Sequence, residues 1–551
     1  HFSKGLFRSY SKHMDHSLEQ EVHAWIADDP DPLTAAQLQQ WLDSGNEAEL
    51  RASFNGFLQF GTAGLRGPIR PGPSGMNRAV VGRAASGIVA YMKERNLTSV
   101  VIGRDARYGS EDFTFETAEI MSGAGMKVYV LPRPLPTPVL AFATNELQCD
   151  VGIMVTASHN PPQDNGYKVY LGGTVDGIYY RGSQIVSPTD EAIAAKIDAI
   201  TSLKSQPRGK VWEVLGEEIV EKYINRTALL AKNPGTLRIV YTAMHGVGTE
   251  TIQRVFHKAG FQAPILVEAQ AAPDPDFPTV AFPNPEEPGA IDLALETARS
   301  FDAHLVIAND PDADRCAAAV NDPITGWRML RGDELGAIFA ESIARKIDSG
   351  IFANSIVSSS IVKKIAEHYN LEFKETLTGF KWLAKIENLT FGYEEALGYC
   401  VDSATVNDKD GVSAAIALAQ IATDLAAQGK TLLDLLDEVW ARHGFHATEQ
   451  ISIRLSDLSK VGVILGSLRS NPPQEIAGRS VTSIDDLAKP TDGLPPTDGI
   501  RIWLDGGVRI IIRPSGTEAK MKCYIEAIER DSKTAQVVLD QLRPPLKELL
   551  S

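Results

Sequence analysis

Along most of the chain the apolar positions fall in short unbroken runs. Each run is followed by a Gly- or Asp-bearing loop and then by a stretch with helical spacing. "SVVIGRDAR" reads as a strand running into a loop, "EDFTFETAEIMSGAG" as a helix closed by glycine, and "KVYVL" as a strand. "PTPVLAFATNEL" reads as a Pro-started helix and "DVGIMVTASHN" as a strand with its loop. The pattern returns at "LRIVYTAMHGVGTETIQRVFHKAG" with "PILVEA", continues in "AIDLALETARSFDAHLVIANDPDADR", and appears again in "SIVSSSIVKKIAEHYN". Such alternation predicts α/β layers with mixed or mostly parallel sheets. No literal repeat accompanies it, but the recurring unit predicts about three similar α/β domains. The last hundred residues differ: "GVRIIIRPSGTEAKMKCYIEA" reads as two strands around a loop, followed by a helix from about Ser532, which is an α+β pattern. "AAPDPDFPTVAFPNPEEPGA" reads as a long ordered loop, and "AKPTDGLPPTDG" as a flexible excursion.

Length and composition narrow the class. At 551 residues the chain has room for three or four domains. With 43% hydrophobic and 23% charged residues it is a globular composition with ample core. The formal net charge of −16 argues against nucleic acid as a partner and requires a locally basic pocket for any anionic substrate. Cys149, Cys316, Cys400 and Cys523 are far apart, which excludes a CxxC zinc pattern and points to a reducing cytoplasm. No apolar run is long enough to span a membrane and no secretory h-region is present. The first fourteen residues, "HFSKGLFRSYSKHM", read as a basic arm or as added sequence.

Four loops carry candidate chemistry. The first is "VTASHNPPQDNGYK", at the carboxyl end of an apolar strand, where open α/β sheets bind ligands. Ser158 needs a base or a metal before its hydroxyl is a useful nucleophile. His159 is adjacent in sequence, and Lys168 lies on the expected return strand "YKVYL". The alternative is a plain Ser/Asn turn.

The second is "VIANDPDADRC". Asp310, Asp312 and Asp314 alternate at a strand end, and three carboxylates so spaced can converge on one hard cation such as Mg²⁺ or Ca²⁺. An EF-hand is excluded, because counting from Asp310 puts Arg315 where Gly is needed and Asn321 where Glu is needed. Mg²⁺ completes such a shell with water or phosphate oxygens. A solvated acidic turn is the competitor.

The third comprises two anion candidates, "FGTAGLRG" with Arg66 and "RPSGTEAK" with Arg513, Ser515, Gly516 and Thr517. Glycines let backbone N–H groups turn onto an anion and Arg grips oxygens in pairs. Neither is a P-loop, and each alone is compatible with a tight turn. The fourth is "GYEEALGY", where Glu394 and Glu395 offer acceptors to sugar hydroxyls, or else begin a helix.

Together these loops resemble the α-D-phosphohexomutase superfamily over roughly Phe60 to Glu526, in the family's order and spacing. "TASHNP" resembles its catalytic serine loop, "DPDADR" its metal loop, "YEEALG" its sugar loop and "RPSGTE" its phosphate loop. "TLTGFKWL", "GYEEALGY" and "NDKDGVSAA" are most similar to the branch holding phosphoglucomutase/phosphopentomutase enzymes and glucose-1,6-bisphosphate synthase. The resemblance implies four domains around a central cleft, three similar mixed-sheet α/β domains and a C-terminal α+β domain. It divides the chain at residues 1–207, 208–325, 326–445 and 446–551.

It also implies a mechanism. Ser158 carries a phosphoryl group beside Mg²⁺ held by Asp310, Asp312 and Asp314. The phosphoserine donates to a sugar monophosphate, the bisphosphate reorients, and its other phosphate returns to Ser158. Lys168 matches the general base, a role that needs partial neutrality. Arg66 and His159 join the catalytic set. Arg315, Thr378, Gly379, Lys381, Glu394, Glu395 and Lys409 fall to the sugar, and Arg513, Ser515, Gly516 and Thr517 to the non-reacting phosphate. Expected ligands are sugar phosphates, with a sugar bisphosphate such as glucose 1,6-bisphosphate as activator. A cytoplasmic monomer or homodimer is expected. Ala396 stands where many members have serine, which leaves room for pentose as well as hexose. The alternatives are a bisphosphate synthase using an acyl-phosphate donor, a phosphatase-like hydrolase and a non-catalytic binder.

Overall fold

The computed structural model describes residues 16–457, 459–515 and 520–551. The amino-terminal stretch read as a basic arm or added sequence lies outside them, and the first described helix begins at His16. Three helices, His16–Asp28, Pro32–Asp43 and Glu47–Ser53, bury Leu18, Val22, Leu38 and Leu50 against one another.

Three sheets then share one plan. In the first, Ser99–Arg104 is flanked by two parallel strands, Lys127–Val130 and Val151–Val155, and Asp164–Leu171 returns antiparallel to the latter. In the second, Ile239–Thr242 lies between parallel Ile265–Leu266 and Leu305–Asn309, with Cys316–Asp322 returning. In the third, Ile351–Ser355 lies between Glu372–Thr376 and Leu389–Glu394, with Gly398–Cys400 returning. Val151–Val155 and Leu305–Asn309 are buried at every residue, the state that parallel strands covered on both faces require and the reason their sequences are unbroken apolar runs.

The plan places the candidate loops. The serine, metal and sugar loops each sit in the turn between the third and fourth of these strands, and each contains one non-glycine residue in the left-handed region: Ser158 at φ +52°, Ala313 at +54° and Leu397 at +65°. Such a conformation costs about 1–3 kcal/mol and persists where surrounding structure dictates it.

The fourth domain is a six-stranded antiparallel sheet with Val508–Pro514 and Lys520–Glu529 as neighbours, backed by helix Ser532–Leu549. Its core is its own, from Ala447 to Leu550. A different core runs continuously through the first three domains, from Val101 to Val439.

Two stretches differ from the sequence reading. The strand ahead of helix Ile361–His368 is Ile351–Ser355, so "SIVSSS" leaves the strand at its first residue and forms the following loop. The excursion "AKPTDGLPPTDG" is anchored: the Asp492 carboxylate accepts from Arg501 at 2.9 Å, and the Thr497 N–H donates to the Leu487 carbonyl at 2.9 Å. No helix among the described residues is long and apolar enough to cross a membrane.

Candidate active site

Ser158 is buried, and its hydroxyl donates to Asp310 Oδ2 at 2.7 Å across the junction of the first two domains. The loop around it is fixed from beneath. Arg107 donates to four carbonyls: Ser158 at 2.7 Å, Asn160 at 2.6 Å, Pro161 at 2.9 Å and Asp164 at 3.2 Å. Asp105 lies 3.3 Å from the Arg107 guanidinium and accepts from Thr156 and Ser110 hydroxyls at 2.6 Å each. The Thr156 hydroxyl in turn takes the Ser158 N–H at 2.9 Å. Phe277, from the Pro-rich loop of the second domain, lies under Arg107 at 4.8 Å from its ring centroid.

His159 Nδ1 is 3.3 Å from the Ser158 hydroxyl. Burial, with the Arg315 and Arg66 charges added, pushes its pKa well below the ordinary range, so the ring is neutral and its 3.9 Å approach to Asp310 is not an ion pair.

Oxygen atoms of Asp310, Asp312 and Asp314 all lie within 4.8 Å of one another, and all three residues are buried. Lys168 donates to Asp312 at 2.7 Å and Asp314 at 2.9 Å, and Thr137 donates to Asp312 at 2.6 Å. Lys409 stands 3.5 Å from Asp314. One oxygen of Asp312 and one of Asp314 remain buried without a hydrogen-bond partner among the described residues. Buried acceptors without donors are costly, and a hard cation satisfies them, so the residues fit the metal that the sequence reading implies.

Charge is divided sharply here. Burial, then Asp312 and Asp314, hold the Asp310 carboxyl well above the ordinary range. Burial also penalises the Asp314 charge, yet Lys168, Lys409 and Arg315 outweigh it and hold Asp314 below that range. Burial opposes the Lys168 charge too, but Asp312 and Asp314 raise its pKa above the lysine norm. The partial neutrality expected from burial near cations is thus absent in this arrangement: the carboxylates win.

The sugar-loop candidates lie at the end of the third sheet. Glu394 ends strand Leu389–Glu394, not a helix, and accepts the Gly379 N–H at 3.0 Å. Arg315 donates to the Ala396 carbonyl at 2.6 Å, tying the metal loop to the sugar loop. Glu395 points away into its own domain, where it accepts from Ser358 at 2.8 Å and Ser355 at 3.3 Å. Burial, Glu394 and Asp333 push its carboxyl up to about 7.

A cavity of about 490 Å³ lies among the first, third and fourth domains. Thr62, Thr378, Lys381 and Arg513 line it, so both anion loops of the sequence reading reach one space. Lys381 donates to the Thr62 hydroxyl across it. Arg66 donates to Asn160 at 3.2 Å, beside Ser158. The Ser515 N–H donates to the Lys520 carbonyl at 2.7 Å. Gly516 and Thr517 lie outside the described residues.

Sequence reasoning missed Asp105, Arg107 and Thr137. The first two carry a signal, an Asp-x-Arg at the carboxyl end of "SVVIG". Thr137 opens a helix and carries none.

Domain models described as phosphoglucomutase/phosphomannomutase match the whole set: α/β/α domain I over residues 58–204, II over 218–326, III over 331–443 and the C-terminal domain over 469–542. Four such domains in that order define a phosphosugar mutase. A probable phosphomannomutase of Haemophilus influenzae is 48% identical over 86% of this chain and 98% of its own length. A phosphopentomutase of Mus musculus is 33% identical over 93% and 90% of the two chains, and a phosphoglucomutase of Staphylococcus haemolyticus is 33% identical over 91% and 95%. With these relatives, the chain belongs to the phosphoglucomutase/phosphomannomutase family, within the α-D-phosphohexomutase superfamily. The fold agrees with the solved structure of a putative phosphomannomutase from Thermus thermophilus, with a TM-score of 0.68 at 23% identity over 89% of this chain and 99% of that one.

Proposed function

We propose that this mutase moves phosphate between C1 and C6 of glucose phosphate, or C1 and C5 of a pentose phosphate, through a phosphoserine at Ser158 and a sugar bisphosphate. The observation that carries this reading is the buried Ser158 hydroxyl bonded to Asp310 within a carboxylate triad that retains unsatisfied oxygens. Asp310, Asp312 and Asp314, with the phosphate on Ser158, would hold a divalent cation such as Mg²⁺, which when bound neutralises charge on the transferring group.

The chain's own residues supply the rest. Arg107 and Asp105 hold Ser158 in its left-handed turn. In the forward step the Ser158 Oγ–P bond breaks as a bond forms from a sugar hydroxyl to phosphorus, and the hydroxyl's proton leaves to a base. Lys168 is placed for that service, but it becomes available only when Asp312 and Asp314 commit their charge elsewhere. Arg66 and neutral His159 flank Ser158 as donors. Glu394, Lys409, Lys381, Thr378 and Gly379 face the sugar, and Arg513 with the Ser515 loop faces the second phosphate. The bisphosphate then turns and returns its other phosphate to Ser158, which restores the enzyme.

The relatives divide among a probable phosphomannomutase, phosphopentomutases and phosphoglucomutases, so the assay compares sugars. With Mg²⁺ and catalytic glucose 1,6-bisphosphate, turnover of glucose 1-phosphate or ribose 1-phosphate is expected, with mannose 1-phosphate run in parallel. Bisphosphate formation only with an acyl-phosphate donor would favour the synthase instead.

A further inference from the structure

The seam between the third and fourth domains is buried: beside an apolar patch, Ile356, Val357 and Leu377 against Leu487, Ile511 and Tyr524, it carries a polar network that the site described above does not use. On the fourth-domain side, Arg509 and Glu526 face each other across neighbouring strands, 3.0 Å apart and nearly fully buried. Arg509 donates to the Ser358 carbonyl at 2.5 Å. Glu526 accepts from the Ser359 hydroxyl at 2.6 Å and the Ser360 N–H at 2.8 Å, with His446 Nδ1 3.1 Å from the same oxygen. Ser358 does not end the chain of contacts. Its hydroxyl donates to Glu395 Oε2 at 2.8 Å, and the Glu395 N–H approaches that hydroxyl at 3.1 Å.

A second path runs beside the first. Thr448 of the fourth domain donates to Asp333 Oδ2 at 2.6 Å. Asp333 Oδ1 accepts the Tyr393 hydroxyl at 2.9 Å and the Ser359 N–H at 2.8 Å. Arg331, two residues earlier, donates to the Thr448 carbonyl at 3.1 Å. Between them is Gly332, where a Cβ would stand 1.7 Å from the Glu395 carbonyl oxygen. The two paths therefore end on Tyr393 and Glu395, the immediate neighbours of Glu394. Apart from His446 Nε2, which is buried without a partner among the described residues, the groups named here are paired, and moving either end leaves further donors or acceptors unmet.

We propose that Asp333, Ser358 and Glu395 are positioning residues that transmit the seating of the fourth domain to Glu394, so that the sugar end of the cleft is set only when the phosphate-binding domain is docked. The fourth domain keeps most of its core to itself and meets the third through a small apolar patch and this polar network, so these contacts make the sugar loop sensitive to its seating. Ser358, in "SIVSSS", lies in the loop rather than the strand because its backbone and side chain serve both domains. Glu395 is thereby removed from the sugar contacts and Glu394 is left as the carboxylate presented to substrate. The inference rests on the proposed sugar-phosphate reading.

The test uses whichever of glucose 1-phosphate and ribose 1-phosphate the full-length protein turns over, with kcat and KM measured separately. Ser358→Ala should raise KM about tenfold, the effect of one lost buried hydrogen bond, with kcat changed by less than about twofold. Thr448→Val and Asp333→Asn should each raise KM, and the double variant should be no worse than the worse single one, because they interrupt one path. A merely structural role would instead lower kcat or the active fraction and leave KM unchanged. Wild-type KM in Ser358→Ala, or multiplying effects in the Thr448/Asp333 pair, overturns the inference. If Ser358→Ala fails to fold, the Thr448/Asp333 cycle decides alone. A wild-type chain inactive on every sugar phosphate would instead overturn the functional reading.

Discussion

Arg107 spends its guanidinium on backbone carbonyls, and this explains how Ser158 tolerates a left-handed turn in a buried position. Removing it takes one donor from each of four carbonyls and the countercharge from the Asp105 carboxylate. We expect Arg107→Ala to reduce kcat/KM about 100-fold through misplacement of Ser158 alone. Steady-state kinetics check this, and a variant within twofold of wild type would contradict the clamp. At this scale legibility followed contiguity. Ser158 and the three aspartates stand in short motifs whose chemistry is evident from spacing. Arg107 had only its Asp-x-Arg spacing to announce it, because its partners are main-chain atoms 51 to 57 residues away. Lys168 was legible as a position but not in its charge, since that depends on carboxylates more than 140 residues distant.

Three strand–turn–strand elements do equivalent work in three domains. Each ends in a turn that carries candidate site residues, and two of the strands that feed them, Val151–Val155 and Leu305–Asn309, were readable as apolar runs because they are buried throughout, whereas Leu389–Glu394 reads as a loop or a helix start. The element that misled was "SIVSSS": its β-branched start resembles a strand, but its serines pair with the next domain. Close packing of elements also dictates particular glycines. A methyl group at Gly332 would meet the carbonyl of Glu395, at the start of helix Gly332–Ala344. Gly332→Ala should therefore destabilise the third domain by about 1–3 kcal/mol and raise KM for the sugar phosphate. A thermal melt with parallel kinetics tests both, and an unchanged melt with unchanged KM would contradict the packing.

At the scale of the whole molecule, the chain has a net charge of −16, yet Lys381 and Arg513 line the cavity and further cations stand at domain junctions. Lys385 is one such junction residue. It joins the third domain to the first, donating to the Ser183 hydroxyl and to the Gln184 carbonyl at 2.8 Å, with Tyr180 packed 4.3 Å beneath. Burial pulls its pKa down to about 7; Asp408 opposes that and Lys381 adds to it. Between about pH 7 and the ordinary lysine range near 10.4, the unfolded chain therefore holds a proton that the folded chain lacks. Stability contributed here rises with pH across that window. Lys385→Met should flatten the rise in melting temperature over the same range, and an identical slope in the variant would contradict the assignment. The number of domains and their class were legible from the recurring α/β unit and the altered last hundred residues. The junctions were not, because they join residues whose partners lie in other domains.

The central claim is phosphate on Ser158, and radiolabelled glucose 1,6-bisphosphate tests it most directly. After incubation with Mg²⁺, digestion and peptide mapping, label should reside on the peptide containing Ser158. Ser158→Ala should take up none and lose essentially all mutase turnover while keeping its melting temperature within a few degrees. Full turnover in the alanine variant, or label on another residue of the wild-type chain, would contradict the account.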